Sequence, residues 1–239
     1  MGTYTRDDFE ALVLLALGNL PTAHPLIARG AHLTAINNAP NRLIRASPDH
    51  FPEHCNNTWT SGPMSTLTPN TTPLPEGLLI LDRVATNQST VDPQNWFGVK
   101  EHPVTLISVQ TVGLIQTTTT RTGWPQMGVR KGEVLLYDPP TTEGYEGWFR
   151  FYGTAGELPL ASSGSTFRMH RDYDSAIVRL AAAECMELMP GRADEAAALT
   201  AEVQVATGIQ LLGNAGVMAI ERAKRPIRVM VAGLPTRRW

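Results

Sequence analysis

The hydrophobic period of this chain changes twice, and that double switch limits the fold more than any single motif. Up to about Ser47, apolar residues recur every three to four positions. From about Pro48 to Phe167 they come in short runs and alternations, and from about His170 the helical period returns. Thr5 stands three residues before Asp8, a capping-box spacing with Asp in place of the usual Glu. Phe9, Leu12, Val13 and Ala16 follow at helical spacing, up to the stop signal Gly18-Asn19. A second helical pattern runs from about Leu26 through Leu33 and Ile36 to Ile44. Pro40 is expected to kink it or to start a new helix, because it lacks an N–H and clashes with the carbonyl four residues back.

The middle segment is crowded with Thr, Pro, Gly and Asn. Ser61-Gly62-Pro63 and the Pro69–Pro75 stretch read as loop. Gly77–Leu81, Val104–Val109, Gly132–Tyr137 and Trp148–Tyr152 read as strands, and the last two are expected to pair across a turn containing Gly144 and Gly147. Thr117–Thr120, with Gly123 and Pro125, reads as a long loop or hairpin tip. In the third segment Tyr173, Ile177, Leu180, Ala181, Glu184 and Leu188 keep helical spacing, and Pro190-Gly191 breaks it. A last helix is expected from about Ala193 to Lys224, bent or broken where Gly208, Gly213 and Gly216 weaken it.

With 239 residues the chain is one large domain or two small ones. The pattern predicts an α+β fold: a helical bundle formed by the N- and C-terminal segments, an inserted β-rich module and an extended C-terminal tail. The corresponding divisions are 1–48, 49–168, 169–224 and 225–239. Net charge is −2, so no global field argues for nucleic acid or a membrane surface. The longest apolar run, Ala11–Leu17, is far short of a membrane span, and the acids ahead of it oppose a signal-peptide reading; a soluble protein made inside the cell is expected. Two cysteines, Cys55 and Cys185, imply no disulfide framework.

Catalytic motifs fare poorly. Gly208 and Gly213 have phosphate-loop spacing, but the lysine is missing and the context is helical rather than strand-to-helix. Ser162-Ser163-Gly164-Ser165 is not a nucleophile elbow. The sharpest metal candidate is Asp49-His50-Phe51-Pro52-Glu53-His54-Cys55, whose imidazoles, carboxylates and thiol suit zinc. Pro52 lies between the two histidines, however, and no second ligand pair follows at finger spacing, so a polar loop is the preferred reading. Sequons at Asn56, Asn70 and Asn87 carry no meaning without a secretory signal. Trp96, Trp124 and Trp148 show no module spacing and read as core or interface anchors. No catalytic residue, cofactor or tightly held metal is expected.

One charge feature stands out. Between Glu221 and Trp239 lie Arg222, Lys224, Arg225, Arg228, Arg237 and Arg238 against the single anion Glu221. This +5 leaves −7 on residues 1–220, the difference between −2 and +5. Pro226 stops any helix, and Ile227, Val229 and Val231 then alternate with Arg228 and Met230, a pattern suited to adding a strand to a sheet edge. Arg237, Arg238 and Trp239 add charged contacts and one large apolar anchor. Arg225, Ile227, Arg228, Val229, Val231, Arg237, Arg238 and Trp239 are therefore the candidate partner-interface residues, expected to order on docking.

Two blocks carry a family resemblance. The first is Ile36-Asn37-Asn38-Ala39-Pro40-Asn41-Arg42-Leu43. The second runs from Val134–Pro140 through Trp148–Tyr152 and Leu158-Pro159-Leu160 to His170–Val178 and its Ala-rich helix. In order of elements the chain resembles the head-to-tail adaptor (connector, or head completion) proteins of tailed bacteriophages, with Pro40 falling where that family's helix continues. The resemblance implies a ring of about twelve copies docked under the portal protein. Such a ring extends the channel through which genomic DNA passes without sequence-specific binding, and meets the next neck or tail protein, with the C-terminal segment against the portal. It implies a virion location, in the neck, and no membrane partner. The competing readings are another neck or tail protein, such as a gatekeeper or tail completion protein, and a metal-dependent enzyme using His50, His54 or Cys55 with Glu53.

Overall fold

The structure is a computed structural model that describes residues 4–63, 71–87, 101–107, 123–138 and 147–211. Among the described residues five α-helices and seven strands make an α+β fold in which N- and C-terminal helices flank a curled, half-barrel sheet.

Helix α1 (Arg6–Ala16) begins as its sequence demands. The Thr5 hydroxyl accepts the Asp8 N–H, and the Asp8 carboxylate accepts the Thr5 N–H at 2.9 Å. Phe9 and Val13 point into the core. The second helical pattern is interrupted at Gly30, whose φ of 68° separates the single turn α2 (Pro25–Ala28) from α3 (Ala31–Ala46). Pro40 does not start a new helix; α3 runs through it. Its missing hydrogen bond costs about 3 kcal/mol in a helix interior. Ile36, Leu43 and Ile44 on the same helix are fully buried, each worth about 1.5–3 kcal/mol, which outweighs that cost.

Helix α4 (Asp174–Glu187) is the centre of the bundle and packs on α1, α3 and α5. Ile177, Leu180 and four alanines are buried along it, and the small side chains let its neighbours approach closely. Helix α5 (Ala193–Thr207) starts at the predicted residue but does not reach Lys224. It ends at the first glycine of the predicted weak region, where Gly208 takes a φ of 70° as a left-handed cap. The helical core also takes in Phe51, Leu79, Leu160, Phe167 and Met169 from the segment between the two helical parts.

The strands are β1 (Asn57–Pro63), β2 (Thr71–Pro73), β3 (Leu78–Asn87), β4 (His102–Leu106), β5 (Met127–Lys131), β6 (Val134–Asp138) and β7 (Trp148–Ala155). Their order across the sheet is β1-β7-β3-β4-β5-β6-β2, antiparallel except for β4 and β5. The expected pairing of the sixth and seventh strands does not occur. β7 lies between β1 and β3, while β6 lies between β5 and β2. The curl of the sheet brings these two strands together through their side chains, with Tyr137 and Phe149 4.9 Å apart between ring centroids. Val84, Val104, Leu135, Tyr137, Phe149 and Phe151 form this second core, with Trp59 and Trp124 packed against it as anchors. Ser61 to Pro63 and Thr71 to Pro73, read as loop, are strand.

Candidate functional site

The most elaborated polar site is where the chain passes into and out of the sheet. It is built from α3, the 3-10 turn Pro52–His54 ahead of β1, and the strand-to-helix connection after β7. Asn37 and Asn41 lie one turn apart on α3 and both reach the outgoing chain. Asn41 Oδ1 accepts the Glu157 N–H at 2.8 Å, and its Nδ2 donates to the Glu157 carbonyl at 3.2 Å. Asn37 Oδ1 accepts the Leu160 N–H at 2.9 Å. Asn38 turns instead to α4 and donates to Glu184 at 3.1 Å, beside the Arg42–Glu184 ion pair. The three asparagines that carry part of the family resemblance thus serve as fasteners between α3 and its neighbours. A Cβ at Gly156 would stand 2.7 Å from Asn41 Oδ1, so any larger residue there has to displace the clamp.

Behind this clamp sits a buried pair. His54 and Glu157 side chains are 2% and 3% exposed, with Nε2 and Oε1 3.4 Å apart. The same Glu157 oxygen accepts the Met169 N–H at 2.7 Å. One carboxylate therefore ties the outgoing chain to the approach to α4 and faces His54 of the incoming turn, whose Nε2 has no hydrogen-bond partner among the described residues. Sequence reasoning missed Glu157, since nothing local marks it. The proline and glycine around Leu158-Pro159 and Gly156 signal only a loop.

The proposed metal segment is not gathered at one point. It forms two 3-10 turns, Pro48–His50 and Pro52–His54. His50 Nδ1 lies 2.5 Å from the Ser47 hydroxyl, while His54 is turned toward Glu157. Cys55 Sγ donates to the Pro48 carbonyl at 3.2 Å. Burial, then the charges of Asp49 and Asp82 with a smaller share from Glu53, pushes this thiol up, against the lowering effect of the Thr154 hydroxyl. Among the described residues no group of three or more His, Cys, Asp or Glu side chains is placed to hold a metal ion. None of the described helices is long and apolar enough to cross a membrane.

A second polar cluster covers the outer face of the sheet. Glu101 Oε1 accepts from the Tyr152 hydroxyl at 2.5 Å and from Arg150 Nη1 at 3.0 Å, and the Arg83 guanidinium stacks 3.9 Å over the Tyr152 ring. Burial pushes the Glu101 carboxyl up, but the Tyr152 and Arg150 hydrogen bonds and the two arginine charges outweigh it and hold the group below its ordinary value. Arg150 and Tyr152 alternate with inward-facing Phe149 and Phe151, so the period of β7 itself creates the two faces.

The candidate interface residues Arg225, Ile227, Arg228, Val229, Val231, Arg237, Arg238 and Trp239 lie outside the described residues, as does Trp96. No family model matches the chain, and no curated protein matches it.

Proposed function

We propose that this protein is a structural component of a tailed-bacteriophage neck, a head-to-tail adaptor. In this reading about twelve copies form a ring that docks under the portal, extends the DNA channel and connects the capsid to the tail. The observation that supports it best is the architecture. Helices from the N-terminal and C-terminal parts build one helical core beside an intervening sheet, the layout implied by the resemblance. The Ile36–Leu43 block, which carries that resemblance, fastens the core to the outgoing end of the sheet. Polar side chains at this junction make structural hydrogen bonds, and the reading assigns no residue a catalytic role.

Mass and symmetry of the assembly test the reading. Purified wild-type protein, imaged in negative stain and weighed by native mass spectrometry, is expected to yield closed rings. Antibody labelling of phage particles is expected at the neck. A protein that stays monomeric both alone and with a portal ring, and that is absent from particles, sinks the proposal.

A further inference from the structure

The helical core and the half-barrel core are separate clusters, and among the described strand residues Leu79 and Ile80 are the ones that reach the helical core. The chain enters the sheet through Cys55-Asn56-Asn57 and leaves it through Ala155-Gly156-Glu157. The two crossings lie side by side: Asn57 pairs with Gly153, and His54 faces Glu157 at 3.4 Å. Leu79 is beside them as well, since a Cβ at Gly156 would stand 3.4 Å from the Leu79 Cβ. Two adjacent crossings set an axis about which one body can turn on the other without breaking either core.

Two features of the incoming crossing are unfavourable as the chain stands. Asn56 has a φ of 56°, a left-handed conformation that is costly for a residue with a side chain. His54 Nε2 is buried 3.4 Å from Glu157 Oε1 and 3.9 Å from Glu53 Oε1, and it makes no hydrogen bond among the described residues. Such features persist only where the surroundings impose them. Here the surroundings are hydrogen bonds to the outgoing chain. Asn41 and Asn37 accept the Glu157 and Leu160 N–H groups at 2.8 and 2.9 Å, and Glu157 Oε1 accepts the Met169 N–H at 2.7 Å.

We propose that residues 54–56 and 155–156 are a hinge on which the half-barrel turns relative to the helical core, and that Asn37, Asn41 and Glu157 are its catch. Opening relieves the backbone at Asn56 and lets water reach His54 Nε2, with the loss of the three hydrogen bonds from Glu157, Leu160 and Met169. Leu79, close to the axis, moves least. The half-barrel then changes its angle to the helices while both cores stay packed. The hinge is a property of the single chain and does not require the adaptor reading.

Native-state hydrogen exchange of the full chain, read residue by residue by NMR, tests the catch. The Glu157, Leu160 and Met169 amides are expected to share one protection factor, about tenfold or more below those inside α4 and the β3–β7 ladder. Asn41→Ala is expected to speed the Leu160 and Met169 amides by about tenfold or more, although Asn41 bonds neither of them. Nitroxide amino acids at the exposed positions Thr60 and Ala198 report the turn itself. Their distance distribution is expected to be broader in the Asn37→Ala/Asn41→Ala double variant than in the wild type. Asn41→Ala with the same labels gives this reading if the double variant does not fold. Three results overturn the proposal. One is protection of the three amides equal to that of α4 and the ladder, which means that they open only with the whole protein. Another is Leu160 and Met169 exchange unchanged by Asn41→Ala, which means that each bond frays alone. The third is an unchanged distance distribution in a variant whose three amides are fast, which means that the connection loosens without any turn of the half-barrel.

Discussion

Asn41 holds Glu157 by both of its main-chain groups, accepting the N–H at 2.8 Å and donating to the carbonyl at 3.2 Å across 116 residues of sequence. A side-chain amide has one donor end and one acceptor end, so it can stand in for a neighbouring strand. It does so at the point where the outgoing chain has left β7 and has no strand to pair with.

Replacing Asn41 with alanine is therefore expected to destabilise the protein by about 2–4 kcal/mol, since two main-chain groups lose their partners in a part-buried site. Urea unfolding followed by tryptophan fluorescence measures this. A loss below about 0.5 kcal/mol, the range of ordinary surface substitutions, would show that the clamp carries no weight.

Gly156→Ala probes the same contact from the other side. A Cβ at Gly156 would meet Asn41 Oδ1 at 2.7 Å, so the substitution is expected to destabilise the wild type and to do little more harm in an Asn41→Ala background. A coupling of about 0.5–3 kcal/mol in the double-mutant cycle is the expected signature; strict additivity would contradict the contact.

Glu101 makes stability depend on pH. Its folded carboxyl is held below the ordinary 4.5, so the contribution is fully present above that value and is lost as pH falls through the folded one. Wild-type stability is expected to drop more steeply than that of Glu101→Gln below pH 4.5, with the two curves parallel above it. Parallel curves throughout would remove Glu101 from the network.

The thiols are expected to be sluggish. Burial, with a smaller part from the Glu184 charge, pushes Cys185 to about 11, and Cys55 is raised as well. At pH 8 a thiol reagent is expected to label neither at the rate of a free cysteine and to label both once the chain is unfolded. Rapid labelling of Cys55 in the native protein would contradict its raised thiol.

Local chemistry was readable in the sequence and pairing was not. The Thr5–Asp8 capping box, the start of α5 at Ala193 and the break at Pro190-Gly191 depend on residues within one turn of each other, and each appears where expected. Strand partners depend on the path of the whole chain. The alternation in Trp148–Tyr152 is plain, yet its neighbours are β1 and β3 rather than β6, because the sheet order is not the order of the sequence. Thr71–Pro73 and Met127–Lys131 have no apolar run to announce them; their neighbours in the sheet make them strands. The pair His54 and Glu157 was half visible. The sequence marks the histidine as a candidate metal ligand, but only the folded chain brings the carboxylate to it.

That pair also says something about how such a protein can vary. His54 lies just before the first strand and Glu157 just after the last, and they meet at 3.4 Å. The sheet therefore leaves and rejoins the helices through a doorway one side chain wide. A different set of strands with similarly spaced ends would keep the helix–helix contacts but would have to replace Leu79, which β3 lends to the helical core.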